Sequence, residues 1–235
     1  MSVSDLFEGD IVEAGAQVRI EPIQQRSTAR LSGLLDAAAV VVDEVGFDRI
    51  TTAMVAERAG ASIGTVYRYY PDRVAVLHAL RERAIQRFRL RVAREIKVTD
   101  PQTPWDVIDC AISAFVELYR TEPGFRIMHF ADRERLPISS VNPSDAVEVS
   151  FFAGQLAGVL SERFGLPYGP ELLFRLEVMV EMADAILSRA FQSSDRGDER
   201  FIDEARRVVG VYFAGYYGEE LSRGGASTPA LESPE

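Results

Sequence analysis

"TTAMVAERAGASIGTVYRYYPDR" (Thr51–Arg73) decides the fold. Two threonines open it, and either can accept the orphan N–H bonds of a helix's first turn. Ile50 and Val55 stand at the spacing of a hydrophobic staple if Thr51 is the cap. The first helix runs over Thr52–Ala59, and Gly60 ends it. Ser62 restarts a helix only two residues later. Pro71 closes that helix near Tyr70, because the residue before a proline is pushed out of the α region. Asp72 caps a third, long helix from Arg73 to about Lys97. Helix, short turn with glycine, helix is the helix-turn-helix arrangement, whose second helix lays its first turns in the DNA major groove.

The motif makes specific demands. The turn is tight, which suits Gly60 and Ala61, and the two helices cross at a small residue, Ala56 or Ala59. At about 100° per residue, Ile63 and Tyr70 fall on the same side of the second helix as Val66, forming an inner face. Gly64 and Arg68 lie opposite, Thr65 and Tyr67 sit on the flanks, and Tyr69 borders the inner face. A glycine inside a helix costs about 1 kcal/mol relative to alanine, so Gly64 asks for a reason. Close approach to a groove is one, and close packing against another helix is the other.

Working outward, Leu31, Leu34, Leu35, Ala38, Val41, Val42 and Val45 recur at helical spacing. They predict a helix over Ser27–Val45, capped by Ser27 or Thr28 and stopped at Gly46. The carboxyl-terminal part reads as all helix: Pro104–Thr121, Gly124–Arg133, Ser144–Phe164, Glu171–Gln192 and Asp198–Glu220. Proline and glycine breaks separate several of them, and no stretch alternates as a strand does. Residues 1–22 read as a flexible arm, and 222–235 as a disordered tail rich in Gly, Ser and Pro.

The net charge of −10 argues against nucleic acid, because binding DNA means neutralising phosphates. Its distribution argues the reverse. Residues 19–97 hold 14 Arg+Lys against 9 Asp+Glu, a net +5, while the remainder holds 12 against 27, a net −15. Arg19, Arg26 and Arg30, around the start of the first helix, read either as a minor-groove arm or as loose surface charge. The single cysteine, Cys110, excludes disulfide scaffolds and cysteine-rich zinc sites. No metal site and no cofactor are expected. No apolar run reaches the roughly 18 to 20 residues of a membrane span, and the acidic N-terminus lacks the order of a secretory signal, so a cytoplasmic location is expected. His78 and His129 are the only histidines, and no H-E-x-x-H, G-x-S-x-G or phosphate-loop spacing appears, which leaves an all-helical enzyme as a remote alternative.

Thr51–Arg73 resembles the DNA-binding signature of the tetracycline-repressor (TetR) family of bacterial regulators. The Thr pair, "AERAG", "S-x-G-T-V-Y-R-Y-Y" and the basic residue two places beyond the proline carry the likeness, which extends over roughly Arg26 to Leu80. The resemblance implies an all-α fold. A three-helix helix-turn-helix domain (23–75) would be joined by a long helix to a helical ligand-binding and dimerisation domain (76–221). It implies phosphate contacts from Thr52, Ser62, Thr65, Tyr69 and Arg73, the tip of Tyr69 reaching outward. Ile63, Gly64, Tyr67 and Arg68 match positions facing base edges or the adjoining backbone. Ile63 departs from the polar residue often found there, and it reads either as a contact to a thymine methyl or as core.

The resemblance also implies an apolar ligand pocket, for which Trp105, Phe115, Tyr119, Met128, His129, Phe151, Phe152, Gln155, Phe174 and Met179 are the candidates. Glu117, Glu177, Glu181 and Asp184 read either as favouring a cationic effector or as a solvated face. A homodimer interface is implied on the last two helices, with Leu173, Leu176, Val180, Leu187, Val208, Val209, Tyr212 and Tyr216 as candidates. The resulting expectation is a repressor. A homodimer binds a pseudo-palindromic double-stranded operator and releases it when an unidentified small, largely apolar effector binds. The alternative is an activator, or a regulator controlled by a protein partner.

Overall fold

The computed structural model describes residues 21–128, 145–192 and 194–223, which form eight α-helices and one 3-10 turn, with no strand among them. Helix α1 (Glu21–Val45) begins ahead of Ser27 and Thr28, so neither caps it. Pro22 sits in its first turn, where a missing N–H costs nothing. Residues 1–20 of the expected arm lie outside the described residues.

Helix α2 (Thr52–Arg58) is capped by Thr51, whose extended backbone turns its hydroxyl to accept the Met54 N–H at 3.2 Å. Gly60 adopts φ 58°, the left-handed region that suits glycine, and the Ala61 N–H then reaches back to the Ala56 carbonyl at 2.9 Å. Helix α3 (Ile63–Tyr69) is capped by Ser62 accepting from the Thr65 N–H at 3.2 Å. Asp72 caps α4 (Arg73–Thr99) through the Ala75 N–H at 2.8 Å. Leu34, Ala38, Val41 and Val42 of α1 share one core with Ile50, Val55, Val66, Tyr70, Leu77 and Leu80.

Beyond α4, α5 (Pro104–Thr121) starts at a capping box of Thr103 and Asp106. A 3-10 turn (Phe125–Met128) stands where a helix over Gly124–Arg133 was expected, and residues 129–133 lie outside the described residues. Helices α6 (Asp145–Phe164), α7 (Pro170–Ala190) and α8 (Glu199–Arg223) follow. The last runs through Ser222 and Arg223, the first two residues of the expected tail, and 224–235 lie outside the described residues. The most extensive packing is α7 on α8. Helix α6 packs on α7, and α5 touches α4, α6 and α8.

The two halves meet at α4 and at the turn after α5. Gly124, at φ 76°, donates its N–H to Asp43 of α1 at 2.9 Å. It lies so close to α1 that a Cβ there would stand 2.8 Å from the Ala39 Cα. Arg83 of α4 reaches the Asp36 carboxylate at 2.7 Å and the Leu35 carbonyl at 3.0 Å. Arg87 pairs with Glu122.

Candidate DNA-reading helix and apolar cavity

Helix α3 buries only Val66, with Tyr70 following it into the core. Ile63 is 42% exposed, so it is not a core residue, and the inner-face assignment from the helical wheel is corrected. The wheel presumes packing along the whole helix, whereas Ile63 begins a seven-residue helix with nothing covering its first turn. Gly64 is open, a Cβ there meeting only the Ser62 Oγ at 4.0 Å, so packing against a second helix does not require the glycine. Tyr67 is 53% exposed and Arg68 is exposed beside it. Ser62 and Thr65 share a hydroxyl–hydroxyl bond of 2.9 Å at the helix start. Thr65 and Tyr69 are half-buried.

Thr52 is 9% exposed, and its hydroxyl donates to the Tyr67 phenol at 3.4 Å. It is therefore drawn inward against α3 rather than held out in solvent. The exposed hydroxyl at the start of α2 belongs to the cap, Thr51. Arg73 is half-buried and donates to the Asp48 carbonyl at 2.5 Å, which fixes it beside the loop between α1 and α2. Arg30 is exposed on α1, while Arg19 lies outside the described residues.

In the carboxyl-terminal half an apolar cavity of about 50 Å³ lies among five helices. Phe88 of α4, four residues of α5 (Ile108, Ala111, Ile112 and Phe115), Phe152 and Leu156 of α6, and Val209 of α8 form much of its wall. Helix α7 forms the rest with Leu176, Met179, Val180, Ala183, Asp184 and Leu187. Phe115, Phe152 and Met179 are thus the expected pocket residues that line it. Ile108, Ala111 and Ala183 escaped sequence reasoning because aliphatic core residues carry no signal that separates a wall from a filled core. Of the four carboxylates considered, only Asp184 reaches the lining, and it is 3% exposed.

The remaining pocket candidates lie elsewhere. Trp105 packs over Gly210 of α8. Tyr119 stacks on Phe191 with centroids 4.1 Å apart. Gln155 is buried next to the cavity but does not line it. Phe151 and Phe174 are exposed, with the Arg89 and Arg175 guanidinium groups 4.4 and 5.3 Å from their ring centroids. The Met128 side chain and all of His129 lie outside the described residues.

Three residues assigned to a dimer face, Leu176, Leu187 and Val209, are buried within this chain and line the cavity, so that assignment is corrected. Val180 is half-buried and also lines it. Leu173, Val208 and Tyr212 are half-buried, and Tyr216 is exposed. The outward face of α7 and α8 is marked by Phe174, Val211 and Tyr216. Arg175 bridges the two helices there: it lies 3.9 Å from the Tyr216 ring centroid, donates to the Tyr212 phenol at 3.4 Å and pairs with Glu171.

Among the described residues, no helix is long and apolar enough to cross a membrane, and no group of three or more His, Cys, Asp or Glu could hold a metal ion.

Residues 34–80 match the family described as bacterial regulatory proteins of the tetR family, and residues 102–215 match the tetracyclin repressor-like C-terminal domain. The chain is 30% identical to a TetR-family transcriptional regulator from Streptomyces coelicolor of known structure. That likeness covers 79% of this chain and 98% of that one, with a TM-score of 0.63. SmeT in its triclosan complex shares the fold at 16% identity and a TM-score of 0.51, over 88% of this chain and 99% of that one. The HTH-type transcriptional repressor KstR of Mycolicibacterium smegmatis is 32% identical over 65 residues. That match takes in 28% of this chain and about a third (32%) of the repressor's length.

Proposed function

Because the chain belongs to the TetR family of DNA-binding transcriptional regulators, which are not enzymes, we propose that it is a repressor that releases its operator when a small, largely apolar molecule enters the cavity. The exposed residues of α3 read the major groove: Ile63 against a thymine methyl, Gly64 at close approach, Tyr67 and Arg68 toward base edges or backbone. Ser62, Thr65, Tyr69 and Arg73 hold phosphates around them. A homodimer formed through the outward face of α7 and α8 sets two copies of α3 about 34 to 36 Å apart, one helical turn of DNA.

One observation carries the ligand response: an unbroken line of packing from the cavity wall to α1. Phe88 and Phe115 line the cavity and pack on Phe125 with centroids 6.4 and 5.3 Å away. The next residue back, Gly124, is docked on Ala39 of α1. A molecule that displaces Phe88 or Phe115 therefore displaces the contact that orients the DNA-reading half. The ligand shifts this balance only by binding the released state more tightly than the operator-bound one. The complex of SmeT with triclosan supports a small-molecule effector for this fold.

The test is fluorescence anisotropy on a complex with the DNA upstream of the chain's own gene, titrated with hits from a thermal-shift screen of apolar compounds. Release by such a hit, lost when Ala183→Phe fills the cavity, supports the reading. Release that survives Ala183→Phe contradicts it.

A further inference from the structure

Among the described residues, Asp184 is the only ionisable side chain on an otherwise apolar lining, and it is 3% exposed. Taking a carboxylate out of water is costly unless donors satisfy it. Two carboxylate oxygens offer about four acceptor sites, enough in general to serve a donor of the protein and a donor of a ligand together. The lining beside it on α7, Val180, Ala183 and Leu187, makes no hydrogen bonds through its side chains. Among the described lining residues, a molecule in the cavity thus meets hydrocarbon side chains except at Asp184.

Resting on the reading of the cavity as the effector site, we propose that the effector is an apolar molecule with a single hydrogen-bond-donating group, an ammonium or hydroxyl, that bonds the Asp184 carboxylate. The same group selects against an effector whose polar end is a carboxylate, because two anions would then share an apolar enclosure. A charge-assisted bond is stronger than a neutral one, so the ammonium binds most tightly.

Four probes with one 4-butylphenyl body test this: 4-butylbenzylamine, 4-butylbenzyl alcohol, 1-butyl-4-ethylbenzene and 4-butylbenzoate. Their affinities for the full chain are measured by titration calorimetry. The expected order is amine, then alcohol, then hydrocarbon, with at least tenfold between amine and hydrocarbon and the benzoate weakest. Asp184→Asn removes the charge at nearly constant shape and lowers the amine's affinity at least tenfold. Asp184→Leu removes the acceptor and brings the alcohol down to the hydrocarbon. A melting curve establishes that each variant is folded, and Asp184→Asn alone suffices should the leucine variant fail. Equal binding of the hydrocarbon and the amine overturns the role of Asp184 but leaves the cavity as a ligand site. Tight binding of the benzoate overturns it too. Binding of none of the four overturns both readings.

Discussion

The hydroxyl of Thr52 donates to the phenol of Tyr67 across 3.4 Å, joining the first turn of α2 to the exposed side of α3. The bond is long for two hydroxyls, which usually meet near 2.7 to 2.8 Å, so it holds position more than it stabilises. On the proposed reading of α3, it aims the Tyr67 ring toward DNA. Thr52→Val and Tyr67→Phe should each weaken operator binding severalfold, and the double variant should be no weaker than the worse single. Coupled residues depart from additivity by about 0.5 to 3 kcal/mol. Additive losses in anisotropy titrations would mean that the two hydroxyls bind DNA independently.

Gly64→Ala should separate stability from function. The added methyl meets only the Ser62 Oγ, 4.0 Å away, and alanine in a helix is favoured by about 1 kcal/mol over glycine. Urea unfolding should show a gain of that size, while operator affinity falls because the backbone no longer approaches the groove. Retained affinity would reduce Gly64 to a neutral surface residue.

Ile63→Ala should leave stability within about 0.5 kcal/mol, as for an exposed residue, yet relax the preference for an A·T pair at one operator position. Competition titrations with singly substituted operators would detect this.

Gly124→Ala should cost far more than Gly60→Ala. Both glycines have positive φ, 76° and 58°, which alone costs another residue about 1 to 2 kcal/mol. Around Gly60 a Cβ meets nothing within 4 Å, but at Gly124 it collides with Ala39. The Gly124 variant should also respond to effector with a smaller change in operator affinity. Equal losses in denaturant unfolding would remove the docking of this turn on α1 from the account.

High pH should act through Tyr70. Burial pushes its phenol up from 10.0 to about 12. The fold therefore favours the neutral phenol: its contribution is complete below the unfolded value and is lost as pH rises from about 10 to about 12. Tyr70→Phe should unfold with a shallower pH dependence across that window. Identical slopes for both proteins would remove Tyr70 from the alkaline transition.

The helix-turn-helix half was legible because each of its boundaries is marked by a residue with one physical use: Thr51, Ser62 and Asp72 as caps, Gly60 as a left-handed stop, Pro71 as a break. The start of α1 was not, because Glu-Pro-Ile-Gln-Gln has no apolar period to reveal it. The wall of the cavity was legible only in part. Helices α7 and α8 carry apolar side chains on both faces, so periodicity could not tell Leu176 and Val209, which face inward, from Phe174 and Val211, which face out. Phe151 and Phe174 misled for a related reason: an arginine lies over each exposed ring, so neither needs a place in the core. The docking of Gly124 on Ala39 joins residues 85 positions apart, and no local pattern announces it.

The most direct measurement is the anisotropy of fluorescein-labelled DNA from upstream of the gene, titrated with the wild-type chain and with Tyr67→Ala and Arg68→Ala at fixed salt. Both residues are exposed on α3, so both variants should keep the wild-type melting temperature while losing operator affinity at least tenfold. Wild-type affinity in both folded variants would contradict α3 as the DNA-reading helix.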